Sequence, residues 1–168
     1  MKLTARILLM TAGLALAACG TNPGRLGGDA AGGGAGAFAP GSASDPSSPA
    51  YFAQAVGDRV LFAVDQSSLT EEGRMVLEGQ ANWLLTNTDF TAVIEGHADE
   101  QGTREYNLAL GARRANTVRE YLVSRGVADN RLRTVSYGKE RPIEVCSVEE
   151  CYAKNRRAVT VLAGGLTS

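Results

Sequence analysis

The sequence is poor in the residue types on which most catalytic and metal sites are built. Its 168 residues include one histidine, three cysteines and one tryptophan, and aromatic residues make up only 6%. With a single histidine, His97, the chain lacks the second imidazole that a histidine-based metal site would use. It also contains no G-x-S-x-G element and no P-loop spacing of glycines. These gaps argue against metal, serine and phosphate-loop chemistry, and we do not expect an enzyme.

The chain also lacks a long apolar run and a strong charge of either sign. Residues 7–18 are mostly apolar, but a transmembrane helix needs ~20 such residues. A short apolar run after Lys2 and Arg6 is instead typical of a secretory signal. The formal net charge is −1, and it becomes about −3 if residues 1–18 are removed. A nucleic-acid partner is therefore not expected, because it would require a concentrated basic surface.

The end of the apolar run resembles the lipobox of bacterial lipoproteins. The residues before Cys19 are Leu16-Ala17-Ala18, and small residues there suit a signal peptidase. The resemblance implies that residues 1–18 are a lipoprotein signal peptide and that Cys19 carries covalent lipid, which can anchor a protein without a membrane span. Gly20, in place of an aspartate, implies export to the outer membrane. The alternative is an ordinary secretory signal in which Cys19 is incidental.

Two further cysteines, Cys146 and Cys151, are close together near the end of the chain. An exported protein meets an oxidising compartment, in which a disulfide is the expected state of such a pair. A metal pair and two free thiols are the alternatives. A C-x4-C spacing without a second cysteine pair is a weak metal signal, so the spacing favours the disulfide.

Composition divides the exported chain into a tether and one domain. Residues 21–50 contain eight Gly, seven Ala, four Ser and four Pro, which build little core. We therefore predict that residues 19–50 are the lipidated N-terminus and a flexible, disordered linker. Residues 51–168 have the composition of one globular domain, and about 110 residues suffice for one hydrophobic core but not for two.

Strand and helix patterns alternate through this domain. Short apolar or alternating runs predict strands, and Ser68 with Glu71 resembles a capping box that would begin the first helix. Thr103 is expected to cap the second helix, and Gly126 is expected to follow its end. The predicted strands are residues 59–65, 90–98, 131–137 and 156–163, the predicted helices are residues 69–85 and 104–124, and a helical turn is predicted near 149–154. This order predicts an α/β sandwich, with helices packed on one sheet.

Each predicted helix carries an apolar stripe at helical spacing. The stripe of the first helix consists of Leu77, Ala81 and Leu84. The stripe of the second helix consists of Leu108, Ala112, Ala115, Val118 and Leu122.

One group of polar residues suggests a catalytic or metal site. Glu95, His97 and Asp99 alternate along a predicted strand, so their side chains would point to one face. Three such side chains could hold a metal ion, but the pattern is weak because metal sites usually draw ligands from several elements. A histidine beside acids is more often a hydrogen-bonded structural residue than a general base.

Another group suggests a site that binds without catalysing. Asn107, Gly111 and Arg114 share one face of the second helix, beside its apolar stripe, and Asp99 precedes that helix. Arg114 is therefore expected to reach solvent or a ligand, and Gly111 to leave room against the helix. A zwitterionic ligand would suit this pair, because Asp99 could bind the ammonium group of the ligand and Arg114 its carboxylate. An exposed salt bridge between the two residues is the alternative, and spacing alone does not choose between them.

Three stretches of the domain resemble a known family. They are "EGHADEQGTREYNLALGARRANTVREYL", "VSYGKERP" and "NRRAVTV". Together they resemble the peptidoglycan-associated lipoprotein (Pal) family and, more broadly, the OmpA-like C-terminal domain, over residues 58–162. The resemblance implies a βαβαβ-type α+β sandwich in which helices cover one mixed sheet.

The resemblance implies a domain that binds peptidoglycan without cleaving it. The family's ligand is the diaminopimelate of the stem peptide, whose side chain ends in an ammonium and a carboxylate. The aspartate and the arginine that bind these groups in the family match Asp99 and Arg114. The other matching positions are Asn107 on the helix, Gly102 and Thr103 in the loop over the ligand, and Asp65 and Phe62 beside the pocket.

The resemblance also implies a location and partners. Relatives are lipid-anchored in the outer membrane, face the periplasm, and act with TolB and the other Tol proteins in envelope integrity and cell division. Peptidoglycan and TolB are expected to compete for overlapping surface, and no cofactor is expected apart from the lipid on Cys19. The C-x4-C pair departs from many members of the family, and it is placed to alter the loop before the last strand.

Overall fold

The computed structural model describes residues 39–164. Cys19, the predicted signal peptide and most of the predicted linker lie outside these residues. The elements, in chain order, are α1 (Pro49–Tyr51), a π-helical turn (Phe52–Gly57), β1 (Arg59–Leu61), α2 (Glu71–Thr86), β2 (Phe90–His97), α3 (Arg104–Ser124), a 3-10 turn (Asp129–Arg131), β3 (Leu132–Gly138), α4 (Glu149–Asn155) and β4 (Arg157–Gly164). Within the described range, no helix has the length and apolar character needed to cross a membrane.

One four-stranded mixed sheet forms the centre of the domain, in the order β1-β4-β2-β3. β4 pairs antiparallel with both β1 and β2, whereas β2 and β3 are parallel. A parallel pair needs a long crossover, and α3 supplies it. The predicted α/β sandwich with a mixed, helix-covered sheet is therefore confirmed. The strand predicted over residues 59–65 is too long, because β1 ends at Leu61 and residues 62–65 belong to the loop that follows it.

The hydrophobic core lies between the sheet and helices α2 and α3. Ile94 of β2 is fully buried against Leu77 and Leu84 of α2 and against Val118 and Leu122 of α3. The predicted stripe of α2 is correct, because Leu77, Ala81 and Leu84 are all buried. Burial of such side chains contributes ~1.5–3 kcal/mol each, which makes this layer the main source of stability.

The helix starts were predicted with mixed success. Thr103 caps α3 as expected, its side chain accepting a hydrogen bond from the Tyr106 amide at 3.2 Å. The predicted cap of α2 is wrong, because Thr70 and not Ser68 accepts from the Gly73 amide, at 3.1 Å. Either hydroxyl could cap a helix, and only the position of the backbone selects Thr70.

The buried face of α3 differs from the predicted stripe over its first half. Leu108 is 44% exposed, and Ala112 is only partly buried. Asn107, Leu110 and Arg114 take the inward positions instead. The sequence predicts that Arg114 reaches solvent or a ligand; its side chain is fully buried and does not reach bulk solvent, but it lines the cavity described below.

Gly111 also has a different role from the one predicted. A Cβ at Gly111 would lie 2.8 Å from the carbonyl oxygen of Gly96 and even closer to Ser136 Oγ. The missing side chain therefore permits close packing of α3 on β2 and leaves no room there for a ligand. This close approach holds the start of α3 against the end of β2, where the predicted site residues lie.

The segment before residue 51 also contacts the domain. The indole nitrogen of Trp83 donates to the carbonyl oxygen of Pro46 at 2.7 Å, and Ser48 is buried and caps α1. Phe52 then packs on the Trp83 ring, with the ring centroids 4.9 Å apart. Contacts of the domain therefore extend upstream of residue 51, at which the sequence predicts the domain to begin.

Cys146 and Cys151 are joined by a disulfide, as the sequence predicts. The bridge spans the start of α4, because Cys151 lies in that helix and Cys146 precedes it. The closed segment is followed by the rest of α4 and then by β4.

We expect replacement of both cysteines, Cys146→Ser with Cys151→Ser, to lower the free energy of unfolding by about 2 kcal/mol. The chain-entropy cost of opening a loop this short has that size. Urea denaturation of the oxidised and variant proteins measures the difference. Wild type reduced before unfolding should match the variant, and equal stability of the oxidised wild type and the variant would contradict the expectation.

We expect Gly111→Ala to destabilise the domain by roughly 1–3 kcal/mol, because the new methyl group would meet the Gly96 backbone. Gly79→Ala is the matched control, since Gly79 also lies within a helix and its added Cβ would meet only Val56, at 3.4 Å. We expect this control to be neutral or to gain up to ~1 kcal/mol. Thermal unfolding followed by circular dichroism measures the stability of both variants. Equal stability of Gly111→Ala and Gly79→Ala would contradict the packing role of Gly111.

Candidate ligand-binding site

A cavity of about 230 Å³ lies where β2 leads into α3. The loop after β1 forms one wall, and the loop from Asp99 to Thr103 with the start of α3 forms the other. The lining residues are Val64, Asp65, Asp99, Gln101, Gly102, Tyr106, Asn107, Leu110 and Arg114. The structure thus brings together five of the seven predicted ligand residues, and Phe62 and Thr103 are not among the lining residues.

Arg114 forms the floor of the cavity, with its side chain fully buried. Its guanidinium donates to the carbonyl oxygens of Gln66 at 2.8 Å, His97 at 2.8 Å and Ala63 at 3.2 Å. Burial lowers the pKa of Arg114 to about 10, although Asp99 acts in the opposite direction, so the group stays protonated at neutral pH. A guanidinium has five N–H donors, so two remain after the carbonyl contacts.

Phe62 supports Arg114 from behind. The guanidinium carbon lies 5.1 Å from the centroid of the Phe62 ring, which is within range of a cation–π contact, and the ring is buried. Phe62 therefore holds Arg114 in place and does not line the cavity.

Asp65 lies at the opposite wall, on the loop after β1. Its φ of 56° is in the left-handed region, which a non-glycine residue rarely adopts. The hydroxyl of Tyr106 donates to its carboxylate, and this hydrogen bond raises the pKa of Tyr106. The unusual backbone turns Asp65 towards the cavity, next to the start of α3.

Asp99 is buried at the edge of the cavity and forms an ion pair that sequence reasoning did not consider. Its Oδ2 accepts from Nη1 of Arg156 at 3.1 Å, and its Oδ1 accepts from the amide of Gln101 at 3.2 Å. The alternative of an exposed Asp99–Arg114 salt bridge is therefore wrong, because both residues are buried and Asp99 pairs with Arg156.

Sequence reasoning missed the part that Arg156 plays. Its side chain also donates to the carbonyl oxygen of Phe62 at 3.3 Å and pairs with Glu149 of α4. Burial opposes its charge, but hydrogen bonds to Glu149 and Asp99 raise its pKa above the ordinary value. The signal available in the sequence was the double arginine of "NRRAVTV", whose first member is Arg156.

The loop from Asp99 to Thr103 is held by hydrogen bonds on both sides. Asn107 is buried, and its amide nitrogen donates to the carbonyl oxygen of Gln101 at 2.7 Å. Gly102 has a φ of 91°, which a residue with a side chain would rarely adopt. Thr103 completes the loop by capping α3. These three residues shape the cavity wall. The side-chain amide nitrogen of Asn107 binds the loop itself.

The segment before β4 braces the same loop from outside. Ser147 and Tyr152 both donate to Glu100 Oε1, at 3.0 and 2.9 Å. Lys139 donates to the carbonyl oxygen of Gly102 at 2.8 Å. The disulfide-closed segment therefore contacts the loop that carries Asp99, although it lies more than 40 residues away in the sequence.

Comparison with known proteins identifies the family of this chain. A family model described as "OmpA family" matches residues 61–156. The chain is 54% identical over 157 residues to a peptidoglycan-associated lipoprotein of Rhizobium meliloti, covering 94% of this chain and 85% of the relative. It is 47% identical over 160 residues to the protein of that name in Agrobacterium fabrum, covering 94% and 87%. This chain belongs to the OmpA family of peptidoglycan-associated lipoproteins.

A solved structure of the same family has the same fold. The crystal structure of the peptidoglycan-associated lipoprotein from Burkholderia pseudomallei matches with a TM-score of 0.64 at 37% identity, covering 72% of this chain and 98% of that one. Members of this family are structural binding proteins and not enzymes, in agreement with the expectation from sequence.

His97 lies next to the cavity but does not line it. Its side chain is 2% exposed, and neither ring nitrogen has a hydrogen-bond partner. Burial, together with the charges of Arg157 and Arg141, lowers its pKa to about 4. The backbone carbonyl of His97 contacts Arg114, so the residue contributes to the site through its main chain.

The predicted face of Glu95, His97 and Asp99 does not form a metal site. His97 Nε2 lies 3.6 Å from a Glu95 oxygen, while Asp99 is engaged by Arg156. Over residues 39–164, no cluster of three or more histidine, cysteine, aspartate or glutamate side chains is arranged to hold a metal ion.

The depressed pKa of His97 predicts a specific pH dependence of stability. In the unfolded chain the imidazole takes up a proton near pH 6.5, and in the folded domain only near pH 4. The contribution of His97 to the free energy of unfolding is therefore fully present above pH 6.5 and is lost as the pH falls towards 4. This contribution is on the order of 3 kcal/mol. We expect His97→Leu to lose less stability over this range.

Urea unfolding of both proteins at several pH values between 4 and 7 tests this prediction. The carboxylates titrate in both proteins, so the difference between the two curves isolates His97. Parallel curves would show that the pKa of His97 is not lowered in the folded domain.

Proposed function

We propose that this chain is an outer-membrane lipoprotein that binds peptidoglycan non-covalently through the diaminopimelate of the stem peptide. The observation that carries the proposal is one cavity with the carboxylates of Asp65 and Asp99 at its walls and the guanidinium of Arg114 at its floor. Such a cavity matches a side chain that ends in an ammonium and a carboxylate. The names of the relatives support peptidoglycan as the source of that side chain.

Asp99 receives the ammonium in this proposal, and Arg114 receives the carboxylate. Asp99 has oxygen lone pairs left after its contacts with Gln101 and Arg156, and Arg114 has two N–H donors left. Because the floor is already held by three backbone carbonyls, Arg114 binds without having to be ordered first. Charge-assisted hydrogen bonds of this kind contribute ~1.5–3 kcal/mol each.

The remaining predicted residues shape the site. Gly102, Thr103 and Asn107 hold the loop that carries Asp99, Phe62 supports Arg114, and Asp65 adds a second carboxylate near the ligand ammonium. Val64 and Leu110 give the cavity apolar walls that suit the methylene groups of the ligand.

The lipid anchor and the linker complete the proposed mechanism. In this proposal residues 1–18 are the signal and Cys19 carries the lipid. The residues between Cys19 and the segment near Pro46 that contacts the domain form the linker. The domain reaches the wall from the periplasmic side of the outer membrane. A flexible linker of this length spans ~30 Å on average. TolB and other Tol proteins are the proposed partners, with roles in envelope integrity and cell division, and TolB competes with the wall for overlapping surface.

We expect Asp99→Asn to weaken binding of a synthetic stem tripeptide that ends in diaminopimelate by roughly 30-fold or more, which is about 2 kcal/mol. The substitution keeps the size of the side chain and removes the charge that faces the ammonium. Isothermal titration calorimetry with the full chain in detergent measures the affinity. Asparagine is preferable to a change at Arg114, whose loss would also break three contacts with the backbone.

Asp89→Asn is the control, because Asp89 is exposed and lies away from the cavity. A tripeptide that ends in lysine keeps the ammonium and lacks the carboxylate, and one that ends in 2-aminopimelate keeps only the carboxylate. Both should bind wild type more weakly than the diaminopimelate peptide. Equal affinity of wild type and Asp99→Asn for the diaminopimelate peptide would overturn the assignment.

A further inference from the structure

Arg156 bridges two carboxylates through a single nitrogen. Its Nη1 lies 3.1 Å from Asp99 Oδ2 and 3.4 Å from Glu149 Oε2, and its Nη2 contacts the other oxygen of Glu149. The side chains of Arg156 and Asp99 are 6% and 10% exposed, whereas that of Glu149 is 61% exposed. The cation is therefore buried with one acid of the ligand site, and the second acid reaches it from the surface.

This arrangement bears on the charge available to a ligand. A buried guanidinium paired with Asp99 alone would cancel the charge that Asp99 offers to an ammonium group. Glu149 contacts Arg156 through both of its oxygens and so shares the positive charge. With Glu149 present, the three groups together carry one net negative charge, and without it they would carry none.

Glu149 is held in place by the structure around it. It is the first residue of α4, and the Cys146–Cys151 disulfide closes the segment around the start of that helix. The hydrogen bond with Arg156 lowers the pKa of Glu149, so its carboxylate remains ionised at neutral pH. The side-chain oxygen of Asn155 at the end of α4 accepts from the amides of Ile143 and Glu144, at 2.9 and 3.2 Å, which fixes the helix on the preceding loop.

We propose that Glu149 is a positioning residue for the ligand site. Glu149 binds Arg156 and thereby leaves the charge of Asp99 available for the cationic group of the ligand. This inference rests on the proposed function, since it assumes that Asp99 faces an ammonium. It adds a residue that lies outside the cavity and acts only through Arg156.

The test compares Glu149→Gln with Glu150→Gln. Both changes remove one negative charge from the first turn of α4, but in the described part of the chain Glu150 makes no contact with Arg156. Calorimetric titration of the full chain in detergent uses two probes, the tripeptides that end in diaminopimelate and in 2-aminopimelate. We expect Glu149→Gln to weaken binding of the diaminopimelate peptide about fivefold. The effect is modest because Glu149 is exposed to solvent.

The pattern across the two probes separates this role from a general structural one. The 2-aminopimelate peptide lacks the ammonium, so Glu149→Gln should not weaken its binding, and Glu150→Gln should stay within about twofold of wild type on both probes. Equal weakening of both probes by Glu149→Gln, or equal affinities of the two variants for the diaminopimelate peptide, would overturn the proposal.

Glu149→Asp keeps the charge and provides a second variant. We expect it to bind the diaminopimelate peptide at least about twice as tightly as Glu149→Gln does, and equal binding would count against the proposal. If wild type failed to bind the diaminopimelate peptide, the proposed function itself would fall. If wild type binds and only the Glu149 comparisons fail, the function stands and this inference alone is wrong.

Discussion

Arg114 places a full positive charge inside the domain, and the arrangement of the ligand site depends on how that charge is compensated. Desolvation of an ion is costly unless polar groups replace the lost water. Here the carbonyl oxygens of Ala63, Gln66 and His97 do so, and the ring of Phe62 covers one face. These groups come from the loop after β1 and from the end of β2, while Arg114 comes from α3. The guanidinium of Arg114 therefore connects three segments around the cavity. Without it, the cavity would lose both its floor and its shape.

The close contact between Gly96 and Gly111 makes this tie possible. It brings α3 onto β2 at backbone distance, so the side chain of Arg114, one turn further along, reaches the carbonyl at the end of the strand. The core layer of α2, α3 and the sheet then fixes the rest of the helix. Stability and ligand site are thus built on the same helix, with the apolar half of α3 serving the core and the polar half serving the cavity.

A second layer of charge surrounds the cavity from the other side. Arg156 joins Asp99 to Glu149, Ser147 joins Glu100 to the segment closed by the disulfide, and Tyr152, the next residue of α4, also contacts Glu100. The bridge lies close to the loop that carries Asp99, because residues in and next to the segment that it closes bond to Glu100. The C-x4-C pair, which looked like a local feature before the last strand, is therefore connected to the ligand site through α4.

The local parts of the structure were predictable from the sequence because they depend on short-range periodicity and capping. The positions of β2, β3 and β4, the inward residues of α2 and the Thr103 cap of α3 follow from neighbouring residues alone. The apolar run over residues 59–65 did not show that β1 ends at Leu61, because the loop after it turns towards Arg114. The pairing of Asp99 with Arg156, the burial of Arg114 and the function of Gly111 did not follow, because each depends on segments distant in the chain. Helical spacing placed Arg114 beside the stripe, but only the approach of β2 and the β1 loop decided that it faces inward. The sequence by itself determined which side chains are present and which local elements they form, whereas the tertiary structure decided which charges meet, because desolvation and pairing depend on neighbours that only the folded chain brings together.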